Sequence, residues 1–348
     1  MRLGRTSTAY AVRDTSAALL ELDARTVGAE LFADHERGLG SGVALDLGAS
    51  AGGGAGDVYL LPRVRLAWRP AERWTVSAGW ARFRQTEQSL RNPESLLGQI
   101  VPADLFIGSA ASGVPEARAD QLVGAADFQA TSGLRVSAQV YERYSRGLLL
   151  VAPGAGDPFA TAGFSSGSGT ARGLALTASV RGARIGATAS YGLQQVRLRD
   201  GDSSYVPTHA TTHLLDAGVI AFPTPTLSIR LGAVAAAGRR TSATVGGLEW
   251  EACNLLDRGC ELSGSPVTTG RPGGRRLPGY LRLDLGVRQH WHLRLGGRDA
   301  SVAVFGTVTN VLGRRNILTY TADPVTGAAS PVDMRPRAPL VVGLDWRL

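Results

Sequence analysis

At 348 residues the chain is long enough for one large β domain or two ordinary ones. Its mean hydropathy is near zero, and no run approaches the roughly 18 apolar residues of a membrane helix, which excludes a helical membrane protein. The net charge is +8 and all 37 basic residues are arginine. They are spread singly over alternating positions rather than gathered in a patch, which argues against a nucleic-acid surface. The absence of lysine reads as codon bias in a GC-rich genome.

The N-terminus, Met-Arg-Leu-Gly-Arg-Thr-Ser-Thr-Ala-Tyr, lacks the apolar stretch of a signal peptide, and Asp14, Glu21 and Asp23 arrive before one could form. From there the apolar and polar residues alternate. The pattern predicts strands near 6–14, 17–31, 58–69, 74–84, 118–129, 133–149, 171–181, 184–198, 212–222, 226–240, 279–293, 299–312 and 338–348. A further short, Gly-rich strand is expected near 41–50.

The clearest stretch runs from Tyr280 to Leu293. Leu281, Leu283, Leu285, Val287 and Trp291 share one face, and Arg282, Asp284, Gly286, Arg288, His290 and His292 the other. Val64, Leu66 and Trp68 oppose Arg63, Arg65 and Arg69 in the same way. Leu134, Val136, Ala138 and Val140 oppose Arg135, Ser137 and Gln139. Val342, Leu344, Trp346 and Leu348 oppose Gly343, Asp345 and Arg347.

The connections alternate in length. Tight turns are expected at 13–15, 70–73, 131–133, 181–183, 223–225 and 296–298, with long stretches at 85–117, 150–170, 199–211, 241–278 and 313–337 between them. Short turns at one end and long loops at the other describe an up-and-down barrel of the outer-membrane kind. Aromatic spacing agrees with it. Trp68, Trp74, Trp291 and Trp346 lie near tight turns or the C-terminus. Tyr59, Tyr141, Tyr144 and Tyr191 lie a strand length away, so the two groups are expected at two membrane interfaces. The fold class is therefore all-β: an antiparallel up-and-down transmembrane β-barrel.

The chain resembles the C-terminal barrel portion of TonB-dependent outer-membrane receptors. The likeness rests on Leu277-Pro278-Gly279-Tyr280-Leu281-Arg282-Leu283-Asp284-Leu285-Gly286-Val287-Arg288 and on Thr307-Val308-Thr309-Asn310-Val311-Leu312-Gly313-Arg314-Arg315-Asn316, which is similar to that family's penultimate-strand element around an Asn. Pro115-Glu116 resembles the pair that opens a strand in these barrels. Tyr141-Glu142-Arg143-Tyr144, Gly169–Leu174 and the ending Gly343-Leu344-Asp345-Trp346-Arg347-Leu348 also fit. Leu348 stands where the family usually carries Phe.

The resemblance implies about 22 strands, of which 13–14 are expected here. Residues 1–348 are thus expected to be the C-terminal part of one barrel domain, with plug domain and signal peptide absent. It also implies energised uptake across the bacterial outer membrane of a bulky, scarce ligand: a siderophore or other metal chelate, cobalamin or a glycan. No covalent chemistry and no cofactor is implied. The partners are outer-membrane lipid, TonB through the missing N-terminal part, and the barrel-assembly machinery through the last strand. A plugless barrel with a structural, adhesive or passive-pore role is the alternative.

Other motifs have plain readings. Cys253 and Cys260 are the only cysteines and lie in the longest loop, where a disulfide suits an oxidising location. They make a poor zinc site without a nearby histidine. His290 and His292 share a strand face and read as polar lining before metal ligands. His209 and His213 open a strand beneath a loop. Gly52–Gly56 and Gly167–Gly169 match no phosphate-binding fingerprint, and no nucleophile elbow or metalloprotease motif is present, so no enzyme is expected.

Overall fold

A computed structural model describes residues 2–13, 18–54, 57–89, 106–108, 114–151, 164–208, 210–242, 244–245, 268–269, 273–295, 298–322, 328–334 and 339–347. Its frame is one antiparallel sheet of long strands: β1 (Arg2–Arg13), β2 (Ala18–Gly40), β3 (Val43–Gly54), β4 (Asp57–Ala71), β5 (Trp74–Gln85), β6 (Ala117–Thr131) and β7 (Leu134–Val151). It continues with β8 (Phe164–Arg181), β9 (Ile185–Asp200), β10 (His213–Thr224), β11 (Leu227–Ala237), β12 (Tyr280–Leu295), β13 (Arg298–Val308) and β14 (Leu340–Arg347). Each strand pairs with the one before it and the one after it. The sheet is an up-and-down meander, and Ser203–Tyr205 folds back on β9 as a short extra strand. Among the described residues β1 and β14 are not paired with each other, so the sheet is an open arc. No helix among them is long and apolar enough to cross a membrane.

The register explains the alternation. Directly opposed residues of an antiparallel pair share a face, so rows of like character run across the strands. One such row is Trp68–Val76–Ala126–Ala138–Leu176–Tyr191–Leu215–Ala235–Leu281. Its members belong to the apolar face, where many side chains stay exposed, among them Leu66, Val140, Leu231 and Leu344. A soluble sheet would bury such a face against a second layer, and among the described residues none covers it. The rows between carry Arg135, Ser137 and Gln139, each with its own cross-strand partners, on the polar face.

The six short connections after β2, β4, β6, β8, β10 and β12 lie at one end of the sheet, and the ends of β5, β7, β9, β11 and β13, from which the longer connections leave, lie at the other. This corrects the sequence reading at one point. Residues 41–50 are not a short doubtful strand. They belong to a full hairpin in which β2 runs on to Gly40 and β3 returns from Val43. The turn takes Gly40, Ser41 and Gly42 through φ of 87°, 51° and 74°, a left-handed path that suits the two glycines. The extra strand shifts the parity, so β1 ends and β2 begins at the loop end of the sheet, and residues 14–17, on which the expected turn at 13–15 falls, lie outside the described residues.

The hairpin escaped the sequence because Asp34-His35-Glu36-Arg37 is polar on both faces, which hides the period of two. Strand pairing holds it instead, from Gly28↔Gly54 to Gly40↔Val43. Two predicted strands also end earlier than expected. β11 stops at Ala237, before Gly238 at φ 70°, and β13 stops at Val308, before Asn310 at φ 51°.

The faces give a direct test. Ala138→Arg places a charge in the middle of the apolar row and is expected to cost about 2–4 kcal/mol in a bilayer, whereas Gln139→Arg on the polar face is expected to be near neutral. Urea titration of heat-modifiable gel mobility, read on the intact protein, distinguishes the two.

Candidate functional site: the polar face and the loop end

The polar face carries charge in alternating signs. Asp34 on β2, Asp46 on β3 and Arg63 and Arg65 on β4 lie in adjacent rows. Arg63 pairs with Asp34, and Arg65 lies 3.5 Å from Asp46. Arg63 reaches Asp34 across Gly48, where a Cβ would collide with the guanidinium, so glycine there opens the path of the ion pair. These groups line a concavity of about 680 Å³ together with Phe83 and Gln121. Further along, Arg135 donates to Asp127 at 2.8 Å, and Arg288 donates to Asp345 at 2.7 Å and to His290 Nε2 at 3.0 Å. Exposed pairs of this kind contribute little stability, about 0–1 kcal/mol each. Their effect is to fix the side chains of a hydrated wall.

At the loop end the chain is held by buried polar groups. Asn310, in its left-handed conformation, gives its backbone N–H to Asp284 at 2.9 Å, and its side-chain amide donates to the Arg314 carbonyl at 2.9 Å. Asp284 in turn accepts from Arg282 at 2.6–2.8 Å. Asn316, only 3% exposed, accepts from the Leu281 N–H at 3.0 Å and donates to the Leu281 carbonyl at 2.9 Å. The segment after β13 is thus docked on the first turn of β12. Of the family-motif positions, Asp284 and Asn310 are brought into contact by this packing, and Tyr280 lies four residues before Asp284 on the same strand face, under Arg239.

Pro115 and Glu116 sit in a comparable clamp. The buried Gln88 donates to the Pro115 carbonyl at 2.7 Å and the Gly147 carbonyl at 2.9 Å, and accepts from the Leu149 N–H at 2.8 Å. Glu116 joins Arg84 to Arg118. One side chain therefore ties the base of the 86–116 loop to the end of β7.

A third cluster lies after β11. Ser242 Oγ sits 2.7 Å from Thr208 Oγ1 and accepts from the Gly273 N–H at 2.9 Å, and Thr241 and Thr319 hydroxyls meet at 3.0 Å. Arg239 donates to the Ile317 carbonyl at 3.1 Å and lies over Tyr280. Burial pushes its pKa below the ordinary arginine value, against an opposing pull from Tyr280. Sequence reasoning does not find Gln88, Arg239, Thr241 and Ser242, and it reaches Asn316 only as the last residue of the family-like motif. They lie between the long strands of the sheet, Gln88, Thr241 and Asn316 in short strands of two to seven residues, where the period of two is too brief or too mixed to expose them.

The aromatic residues divide by face. Trp68, Trp74, Trp291 and Trp346 lie on the apolar face, with Trp291, Val302 and Trp346 in one row. Tyr144 shares that face with Val140, and Tyr191 does too, its hydroxyl 2.8 Å from His213 Nδ1. Two expectations need correction. Tyr141 lies on the polar face with Arg135 and Gln139, because an odd step in sequence from Tyr144 must change sides. Its ring covers Gly173, where a Cβ would touch it. Tyr59 alternates with Leu60 onto the face of Arg63, packing over Gly52 and under Arg84 at 4.1 Å. His290 and His292 line the polar face, and no cluster of metal-binding side chains occurs among the described residues. Cys253, Cys260, His209 and Leu348 lie outside the described residues.

A meander apolar on one side, polar on the other, with turns at one end and loops at the other, is the wall of a transmembrane β-barrel of outer-membrane type. No protein-family model and no curated protein matches the sequence. Solved structures do match the fold, which is that of the barrel of TonB-dependent outer-membrane receptors. The chain is similar to the ferripyoverdine receptor of Pseudomonas aeruginosa bound to ferripyoverdine, with a TM-score of 0.59 at 14% identity over 96% of this chain and 40% of that one. It is similar to the ferric yersiniabactin uptake receptor of Yersinia pestis, with a TM-score of 0.55 at 13% identity over 98% of this chain and 48% of that one. The ferric-catecholate import receptor of Escherichia coli gives 0.54 at 10% identity over 95% and 45%. The chain therefore spans less than half the length of these receptors.

Asn316→Ala removes both partners of the Leu281 backbone at a buried position and is expected to cost about 1–3 kcal/mol locally. Limited proteolysis of the intact protein should show faster cleavage between residues 309 and 339, with the rest of the sheet unchanged.

Proposed function

We propose that this chain forms part of the barrel wall of a TonB-dependent outer-membrane receptor that imports a bulky, scarce ligand, a metal chelate of the siderophore kind before cobalamin or a glycan. The observation that carries the reading is the match of the fold to ferric-chelate receptors over 95–98% of this chain. A hydrated, charge-lined polar face and anchored loops at one end suit the role: loops capture the ligand, and the lumen gives it a wet path. The work is binding and transport rather than covalent chemistry.

In this reading the apolar face meets the lipid of the bacterial outer membrane, and the four tryptophans sit at the interface on the turn side. β14 is the strand presented to the barrel-assembly machinery. TonB engages through sequence outside these residues, and Cys253 and Cys260 form a disulfide that staples a surface loop.

The test is uptake. In iron-limited cells lacking the coding region, import of one radiolabelled ferric chelate is expected to fall to background, to return with the intact gene, and to stop when an uncoupler collapses the proton gradient. Unchanged import across a panel of ferric chelates, cobalamin and oligosaccharides would overturn the proposal, as would import that ignores the uncoupler.

A further inference from the structure

Beyond the apolar band, the outward face of β5–β9 changes character abruptly. Leu122, Val140, Leu174 and Leu193 give way, toward the loop end, to exposed arginines at 82, 118, 146, 172, 197 and 199. The register sets them side by side. Arg118 faces Arg146, Arg146 faces Ser168, and Ser168 faces Arg199, in a single row across four strands. The next row holds Asp120, Tyr144, Thr170 and Arg197.

Part of this charge is matched inside the chain. Asp120 pairs with Arg82 at 2.9 Å, Glu116 with Arg118 at 2.7 Å, and Glu142 stands opposite Arg172. Arg172 itself donates to Gln195 at 2.7 Å. Among the described residues Arg146, Arg197 and Arg199 enter no ion pair, and Arg146 lies 4.9 Å over the Tyr144 ring. Like charges directly opposite each other on one face are destabilising; Glu116 offsets Arg118, which leaves the unmatched charge of this row, among the described residues, on Arg146 and Arg199. The hydroxyls of Tyr144, Ser168 and Thr170 lie between the cations and add neutral donors. Arginine binds phosphate oxygens in a bidentate fork, and basic clusters at a membrane surface select anionic head groups.

We infer that this patch holds the phosphate groups of lipid head groups in the leaflet on the loop side, with Arg146 and Arg199 as its centre. The argument rests on the apolar face being the lipid face, and not on the identity of any transported ligand. A lipid is the occupant, rather than a soluble anion, because the patch continues directly from the apolar band on the same outward side of the same strands. The acyl chains then lie against Val140 and Leu174 while the phosphates reach the arginines.

The experiment uses the intact protein, extracted in a neutral detergent and stripped of native lipid. Binding of a diphosphorylated glycolipid is measured by native mass spectrometry, beside the same lipid after enzymatic removal of its phosphates. The diphosphorylated form should bind at least tenfold more tightly. R146E/R199E should abolish that difference, while R143E, the same charge change on the polar face, should keep it. Millimolar inorganic phosphate should not displace the lipid. Equal binding of the dephosphorylated lipid, full binding by R146E/R199E, or displacement by inorganic phosphate would each overturn the inference. If charge reversal prevents folding, judged by heat-modifiable mobility, R146Q/R199Q replaces it, and undiminished selectivity in that variant is equally fatal. Chelate uptake is measured separately, so loss of import with intact lipid selectivity would count against the transport reading alone.

Discussion

The backbone hydrogen bond between sequence neighbours is the constraint on which everything else depends. In hydrocarbon no water can satisfy a strand's N–H and C=O groups, so each strand must be paired on both sides. The simplest way to do this along one chain is to pair each strand with the next; β1 to β14 follow that order without a break, and the two edge strands have one partner each among the described residues. Once the pairing is set, the pleat assigns every side chain to one of two media. A step of one residue moves a group from lipid to water, which is why Tyr141 and Tyr144 serve different surfaces.

The two faces then solve different problems. The apolar face needs only bulk and the absence of charge, and it is built from leucine, valine, alanine and tryptophan without close packing against a second layer. The polar face must keep many arginines apart from one another and from collapse, and it does so by interleaving Asp34, Asp46, Asp127 and Asp345. Glycines at 48, 52 and 173 give long side chains room to lie flat across neighbouring strands. At the loop end the chemistry changes again, from exposed pairs to multiply bonded groups, of which Gln88 and Asn316 are buried and Asn310 half-buried. Gln88, Asn310 and Asn316 each satisfy several backbone atoms, so loops that leave the sheet do so from fixed points.

Legibility in the sequence followed the same physics. Strands with one uniform face, such as β7, β9, β12 and β14, were readable from the period of two alone. The β2–β3 hairpin was not, because Asp34-His35-Glu36-Arg37 offers polar groups to both sides and β3 is rich in glycine. Neither half has a pattern of its own, and each is held by its partner. Motif positions fared unevenly for a related reason. Tyr280, Asp284 and Asn310 were picked out by resemblance, yet the contact between Asp284 and the Asn310 backbone depends on a left-handed residue that composition does not announce.

By itself the sequence determined the strand class, the two-faced character and the ordering of turns and loops, because those properties follow from local alternation and from turn chemistry. Tertiary structure decided what depends on register: which arginine meets which carboxylate, which tyrosines face lipid, where the extra hairpin shifts the parity, and which cations stand together on the outward face of β5–β9. Register is a relation between segments tens of residues apart, and a single strand, however regular, does not contain it.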